Sequence, residues 1–366
     1  MVGGGGAVIA EALKLSVFFG ERDRFNGHLV SDVLLDVFER HEVKAAVLLR
    51  ATEGFGIKQQ LHTQRILTLS EDLPLVATAV DERERVLRLL PDVEAVLDGG
   101  LITIERARLV TALDEGTIPP IGPRETTKLT LYLGRQEQAA SRAAYEWVVD
   151  VLRRNGVAGA TVLLGVDGLV HHARKRARFL SRNADVPLIL VSVGERPAIA
   201  AALSELSGQL EQPLATLERC QVCKRDGRSV STPLELPETD PTGLGVWHKL
   251  TIYASEQARH GHHPLYIELI HRLRLEGASG ATALRGIWGY SGDHVPHGES
   301  PFALRRRVPV VLTVVDRPSR IQQWWPIVDD VTSETGLVTS EMVPASLASA
   351  PGVTSGGLEL AYLRPG

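Results

Sequence analysis

The chain repeats itself, and nothing else in the sequence limits its fold so tightly. Lys14-Leu15-Ser16-Val17-Phe18-Phe19-Gly20 returns as Lys128-Leu129-Thr130-Leu131-Tyr132-Leu133-Gly134 and again as Lys249-Leu250-Thr251-Ile252-Tyr253-Ala254-Ser255. A second marker, Lys44-Ala45-Ala46-Val47-Leu48-Leu49-Arg50, returns as Gly159-Ala160-Thr161-Val162-Leu163-Leu164-Gly165 and Gly280-Ala281-Thr282-Ala283-Leu284-Arg285-Gly286. A third begins at Leu73-Pro74-Leu75-Val76, Val186-Pro187-Leu188-Ile189 and Val308-Pro309-Val310-Val311. Lys14 to Lys128 and Ala46 to Ala160 both span 114 positions; Lys128 to Lys249 and Ala160 to Ala281 both span 121. Markers that keep one order at near-constant spacing define three copies of one unit.

Each copy reads the same way. The first marker alternates and is β-branched or aromatic, as a strand requires. Leu29, Val33, Leu34, Val37 and Phe38 follow at helical spacing. The second and third markers are strands, the third opened by a proline, which a strand start tolerates. Asp81 with Glu84 is a capping-box pattern that predicts a second helix, and Leu101-Ile102-Thr103-Ile104 is a fourth strand. The order βαββαβ is the ferredoxin-like plan, an α+β class. Copies are expected at 10–113, 126–230 and 247–346, separated by Pro/Gly-rich linkers. A tail at 347–366 is expected to add an edge strand at Leu358–Leu363. A four-stranded unit of this kind leaves one sheet face uncovered. Three copies in one chain can cover those faces mutually, as an intramolecular pseudo-trimer around one central apolar core, or they can remain beads on a string. The pseudo-trimer is the expected arrangement.

Apolar residues make up 44% of the 366, enough for sizeable cores. The formal net charge is −4, which does not suit a nucleic-acid binder. Two cysteines cannot build a disulfide framework. The start lacks the basic region of a signal peptide, and no apolar window of about 18 residues exists. The expected location is the cytoplasm.

The first copy carries Gly20-Glu21, Glu53-Gly54-Phe55-Gly56, His62-Thr63, Leu69-Ser70-Glu71-Asp72-Leu73-Pro74 and Gly100-Leu101-Ile102-Thr103. With these motifs it resembles the PII-like proteins of domain-of-unknown-function family 190, and the other two copies resemble it more weakly. The resemblance implies ferredoxin-like units with ligand clefts between neighbours. It also implies a long loop that regulates a partner; classical PII relatives bind adenine nucleotides, and family 190 genes are often seen beside a fluoride-channel gene. The expectation is a non-enzymatic regulatory protein without a resident cofactor. It would bind a small anionic ligand, an adenine nucleotide being the best guess, and act on a partner such as a membrane ion transporter or channel. The rival readings are an accessory protein that docks without ligand, and a metal-handling protein.

The residues support a site on their own terms. The stretch from Thr52 to Asp72 is far longer than a hairpin needs. Gly54 and Gly56 permit a turn whose amides could hold an anion, with Phe55 between them and Lys58 and His62 as positive donors. Gly99 and Gly100 would form the opposite wall. The bland alternative is a plain loop with glycines for turning. The second copy keeps Gly168 and follows it with the basic run His171–Arg178, and Pro213 stands in place of the turn glycine. In the third, Trp288 and Tyr290 could stack on a base or simply pack locally. Cys220 and Cys223 lack a second pair for zinc and read as buried thiols. His260, His262, His263, His294 and His297 read as loop histidines or as a metal cluster.

Overall fold

The computed structural model describes residues 9–56, 62–63, 73–111, 126–170, 173–174, 186–210, 213–291, 296–298, 308–350 and 353–363. The first copy consists of β1 (Ile9–Gly20), α1 (Val30–Arg40), β2 (Ala45–Phe55), β3 (Pro74–Glu82), α2 (Arg83–Val96) and β4 (Gly100–Val110). The second has β5 (Thr126–Gly134), α3 (Ala144–Arg154), β6 (Gly159–Leu164), β7 (Asp167–Val170), β8 (Pro187–Glu195), α4 (Arg196–Leu206) and β9 (Ala215–Arg225). The third has β10 (Trp247–Ser255), α5 (Leu265–Leu275), β11 (Ala281–Arg285), β12 (Trp288–Ser291), β13 (Pro309–Asp316), α6 (Pro318–Val331) and β14 (Leu337–Val343). The tail forms a hairpin, β15 (Ala345–Ala350) with β16 (Val353–Gly357), and one helical turn, α7 (Glu359–Tyr362).

In each copy the first strand lies between the third and the fourth, and the second borders the third. β1 pairs antiparallel with β3 and β4, and β2 pairs with β3. β5 lies between β8 and β9, with β6 outside β8. β10 lies between β13 and β14, with β11 outside β13. Strands of different copies also pair, so the described residues share a 20-stranded sheet. Alternation sorts the two faces. Leu13, Leu15, Val17 and Phe19 of β1 pack under α1 and α2, and the other two copies have equivalent helix-covered cores. The opposite faces meet in a fourth cluster drawn from all three copies, including Val47, Val80, Tyr132, Ile189, Tyr253 and Val311. That shared interior is not uniformly apolar, because a layer of charged and hydroxyl side chains crosses it.

Two local expectations change. Asp81 does not cap α2; Glu82 holds the N-cap position without a side-chain bond. The Asp81 carboxylate is fully buried and accepts hydrogen bonds from the Lys44 and Glu82 amides at 2.9 and 2.6 Å. It ties the start of β2 to the end of β3, and Asp316 repeats the tie to the Ser279 and Arg317 amides. Leu358–Leu363 does not extend a sheet. It turns helical, and Leu358 and Ala361 enter the first copy's core while the Ala361 and Tyr362 carbonyls accept from buried Arg83. β15 supplies the added strand, paired with β4.

Candidate functional site

The long segment after each second strand leaves from a strand laid across a neighbouring copy. Ala51–Phe55 of β2 pairs antiparallel with β11 of copy three. β7 of copy two pairs with the start of β2 in copy one, and β12 of copy three pairs with β6 of copy two. The three seams therefore run one onto three, two onto one, three onto two. Each incoming strand carries a glycine flanked by an apolar residue: Gly54-Phe55, Gly168-Leu169, Gly289-Tyr290. A Cβ on Gly54 would lie 2.7 Å from the Ala281 carbonyl oxygen, and on Gly168 or Gly289 it would overlap the carbonyls of Ala46 or Ala160. Glycine is there because two backbones touch. The next side chain is a plug. Phe55 is buried in the core of copy three, Leu169 in copy one and Tyr290 in copy two. The Tyr290 hydroxyl donates to the Val157 carbonyl at 2.9 Å, so this ring packs rather than waiting for a base.

This placement redraws the expected ligand cleft. Gly54 has strand partners on both sides, Thr282 and His62, which differs from an open anion-holding turn. Gly56 lies exposed just past the strand end. Lys58 falls outside the described residues, and of His62 only the backbone pairing is described. Gly100 opens β4 with φ +135°, and a side chain there would collide with the Phe18 carbonyl. Its ladder partner is Ser349 of β15, and Gly99 lies beside the same residue. The tail thus runs along the turn expected to wall the cleft. At the seam between copies two and three, a cavity of about 20 Å³ is lined by Ala160, Val191, Tyr253, Tyr290 and Leu337. That is space for about one water, against the roughly 300 Å³ or more of a small-molecule pocket.

The seams differ chemically. Arg50 bonds Glu21 at 2.8 Å, and Arg285, its counterpart in copy three, pairs with Glu256. Burial raises the Tyr266 pKa beside this second pair; Arg285 opposes the rise, and Glu53 of copy one and Glu256 add to it. In copy two the counterpart is Leu164, and the incoming residue is Trp288, packed in the same core.

The charged layer is a feature the sequence reading did not single out. Lys14, Lys128 and Lys249 open the three first markers, and Glu105, Glu218 and Glu341 stand directly opposite them on the fourth strands. All six are buried. Within copies, Lys14–Glu105, Lys128–Glu218 and Lys249–Glu341 lie at 3.3, 2.7 and 3.0 Å. Between copies, Lys14 reaches Glu218 at 2.5 Å, Lys128 reaches Glu341, and Lys249 reaches Glu105. The contacts close a ring of alternating sign. Burial would raise the Glu105 carboxyl, but Lys14, Lys249 and Lys128 outweigh it and hold it far below the usual range. Glu341, also desolvated, is drawn down to about 2 by Lys128 and Lys249. Burial lowers Lys14, which meets two carboxylates, whereas Lys128 meets three and is raised. The three carboxylates lie within 4.8 Å of one another, the one such group of potential metal ligands among the described residues. Three ammoniums already neutralise them, so the donor set does not suit a cation.

Some of the remaining candidates resolve locally, while His294 and the side chain of His297 lie outside the described residues. His260 Nε2 faces Arg272 at 3.2 Å and Asp330 at 3.6 Å, and no histidine joins a metal-ligand cluster among the described residues. Cys220 and Cys223 are buried free thiols whose pKa values burial pushes up, to about 12 for Cys223. Neither is poised as a thiolate nucleophile. Buried His248 bonds the Ser340 hydroxyl at 2.6 Å. Burial lowers its pKa to about 4, against the opposing pull of Glu341. No helix among the described residues is long and apolar enough to cross a membrane.

Comparison with known proteins follows the repeat. The family DUF190, described as "Uncharacterized ACR, COG1993", matches residues 12–109, 126–222 and 247–345. A UPF0166 protein of Aquifex aeolicus is 27% identical over 96 residues, covering 26% of this chain and 90% of that protein. A UPF0166 protein of Methanocaldococcus jannaschii is 29% identical over 95 residues, covering 26% and 87%. Each relative is about as long as one copy. An aspartate kinase from Synechocystis aligns over 93% of this chain and 46% of its own at 10% identity, with a TM-score of 0.26 that carries no argument.

Proposed function

This chain belongs to the DUF190 family in three tandem copies, and from that premise we propose that it is a non-enzymatic, PII-like regulatory protein. In this reading three ferredoxin-like units close into an intramolecular pseudo-trimer. The segments after the seam strands bind a small anionic ligand, an adenine nucleotide being the first choice, and present its presence or absence to a partner. A membrane ion transporter or channel is the partner class this reading favours. The observation that carries it is the seam itself. Each long segment departs from a strand that one copy lays on another, so anything bound at its base touches two copies and can alter how they meet. The charge of these segments supports an anion. Residues 171–185 hold two histidines and five arginines or lysines with one acid, and 292–307 end in Arg305-Arg306-Arg307. Such donors suit phosphate.

The ligand would sit outward of the closed seams, since the interior cavity is too small. Lys58 in the first copy is the proposed counter-charge, together with Gly56 and His62; Gly99 and Gly100 are half-buried along the tail strand and are dropped from the wall. Titration calorimetry of the intact chain against AMP, ADP, ATP and cyclic adenine nucleotides tests this. Micromolar binding by at least one, weakened roughly ten- to hundredfold by Lys58→Ala and less by Lys175→Ala, is the expected result. Silence across the panel rejects nucleotide sensing and leaves a ligand-free docking protein. Equal losses from both substitutions place the ligand elsewhere.

A further inference from the structure

We propose that the buried ring of Lys14, Lys128, Lys249, Glu105, Glu218 and Glu341 is a register lock, setting the level at which the three sheets meet. Four of its seven ion pairs join different copies: Lys14 with Glu218, Lys128 with both Glu341 and Glu105, and Lys249 with Glu105. The side-chain layers around it could not set that level alone; the seam ladders, four residue pairs each, act beside the ring through the backbone. On the interior face of β1 the order is Ala12, Lys14, Ser16, Phe18, and β5 and β10 repeat Lys-x-Thr-x-Tyr. Beyond the ring lies a hydroxyl layer of Ser16, Thr78, Thr103, Thr130, Thr216, Thr251 and Thr339, all buried. Beyond that come the apolar contacts of Tyr132, Tyr253, Ile189 and Val311. Small hydroxyls and branched apolar side chains pack acceptably in more than one register. A slide of two residues, about 7 Å, keeps every side chain on its own face. It would, however, lift one copy's lysine and glutamate out of the ring and leave their partners buried without countercharge.

A lock of this kind differs from a source of stability. Desolvation of six charges offsets much of their attraction, and well-packed apolar replacements of buried ion pairs are commonly as stable or more so. What the charges add is discrimination among otherwise similar packings, as polar core positions do in coiled coils. Three copies with near-identical interior faces need such discrimination, because each sheet must choose both its neighbours and its level.

The test uses the full chain. A variant with all three lysines changed to Met and all three glutamates to Leu is compared with the parent by urea denaturation and two-dimensional amide NMR. The expected outcome is an unfolding midpoint at or above the parent's, with doubled or exchange-broadened peaks for β1, β5 and β10. A single sharp set of native-like peaks would overturn the proposal. If the sixfold variant does not fold, a cycle of Lys14→Met, Glu218→Leu and the double variant decides. Each single change is expected to raise the unfolding constant by roughly two orders of magnitude or more, and the double change by much less than the product. Losses that simply multiply would overturn it.

Discussion

Lys14 sits between carboxylates of two copies with about a tenth of its side chain exposed, so removing its ammonium strands charge in the interior. Lys14→Met should cost about 3–5 kcal/mol in urea denaturation. Arg40→Met, at an exposed pair with Asp92, should change stability far less; similar losses would show that the ring is not desolvated as described. The acid limb follows from sign. Glu105 and Glu341 have folded pKa values below the unfolded ones, so their stabilisation is present above about pH 4.5 and is lost as pH falls toward 2. His248 works at higher pH. Its folded pKa, about 4, is below the unfolded 6.5, so the unfolded state holds more protons between these values. Stability should fall from pH 6.5 to pH 4, by on the order of 3 kcal/mol at most, and His248→Gln should flatten that slope. Parallel pH profiles would remove His248 as the cause. The lysines were visible in the sequence as the first residue of each first marker. Alternation alone set them on the face opposite Leu15 and Val17, but their role depends on that second face being buried against two other copies. No local pattern reports that.

At the scale of elements, what a segment encodes locally could be read from it. The βαββαβ order rests on periodicity within ten or so residues, and the proline that opens each third strand marked β3, β8 and β13. Asp81 misled because a strand-end carboxylate that ties a neighbouring turn has the same spacing to Glu84 as a helix cap. The seam strands misled for a different reason. Gly54, Gly168 and Gly289 look like loop glycines, since the backbone that requires them belongs to another copy more than 100 residues away. Gly168→Val should therefore disrupt the seam between copies two and one by more than about 3 kcal/mol. The same change at exposed Gly27, where nothing crowds a Cβ, would cost only its backbone strain. The tail misled because Leu358 and Leu360 alternate as a strand does, yet the side chains that enter a core are Leu358 and Ala361, at helical spacing. Deleting residues after Gly357 should loosen α2 and β4 in copy one, seen as lost amide protection there; unchanged protection would mean that α7 only rests on the surface.

The whole molecule depends on closure. Each copy passes a plug to a neighbour, and the exchange goes round: Phe55 into copy three, Leu169 into copy one, Tyr290 into copy two. Three beads on a string would keep each plug at home or leave it in water. Large-to-small substitution of a buried side chain costs about 2–5 kcal/mol, and the loss appears where the cavity forms. Native-state hydrogen exchange on Phe55→Ala, Leu169→Ala and Tyr290→Ala therefore tests the closed arrangement most directly. The expected result is protection lost in the receiving copy, around α5 for Phe55→Ala, α1 for Leu169→Ala and α3 for Tyr290→Ala. Protection lost only within the copy that carries each substitution would contradict the closed arrangement.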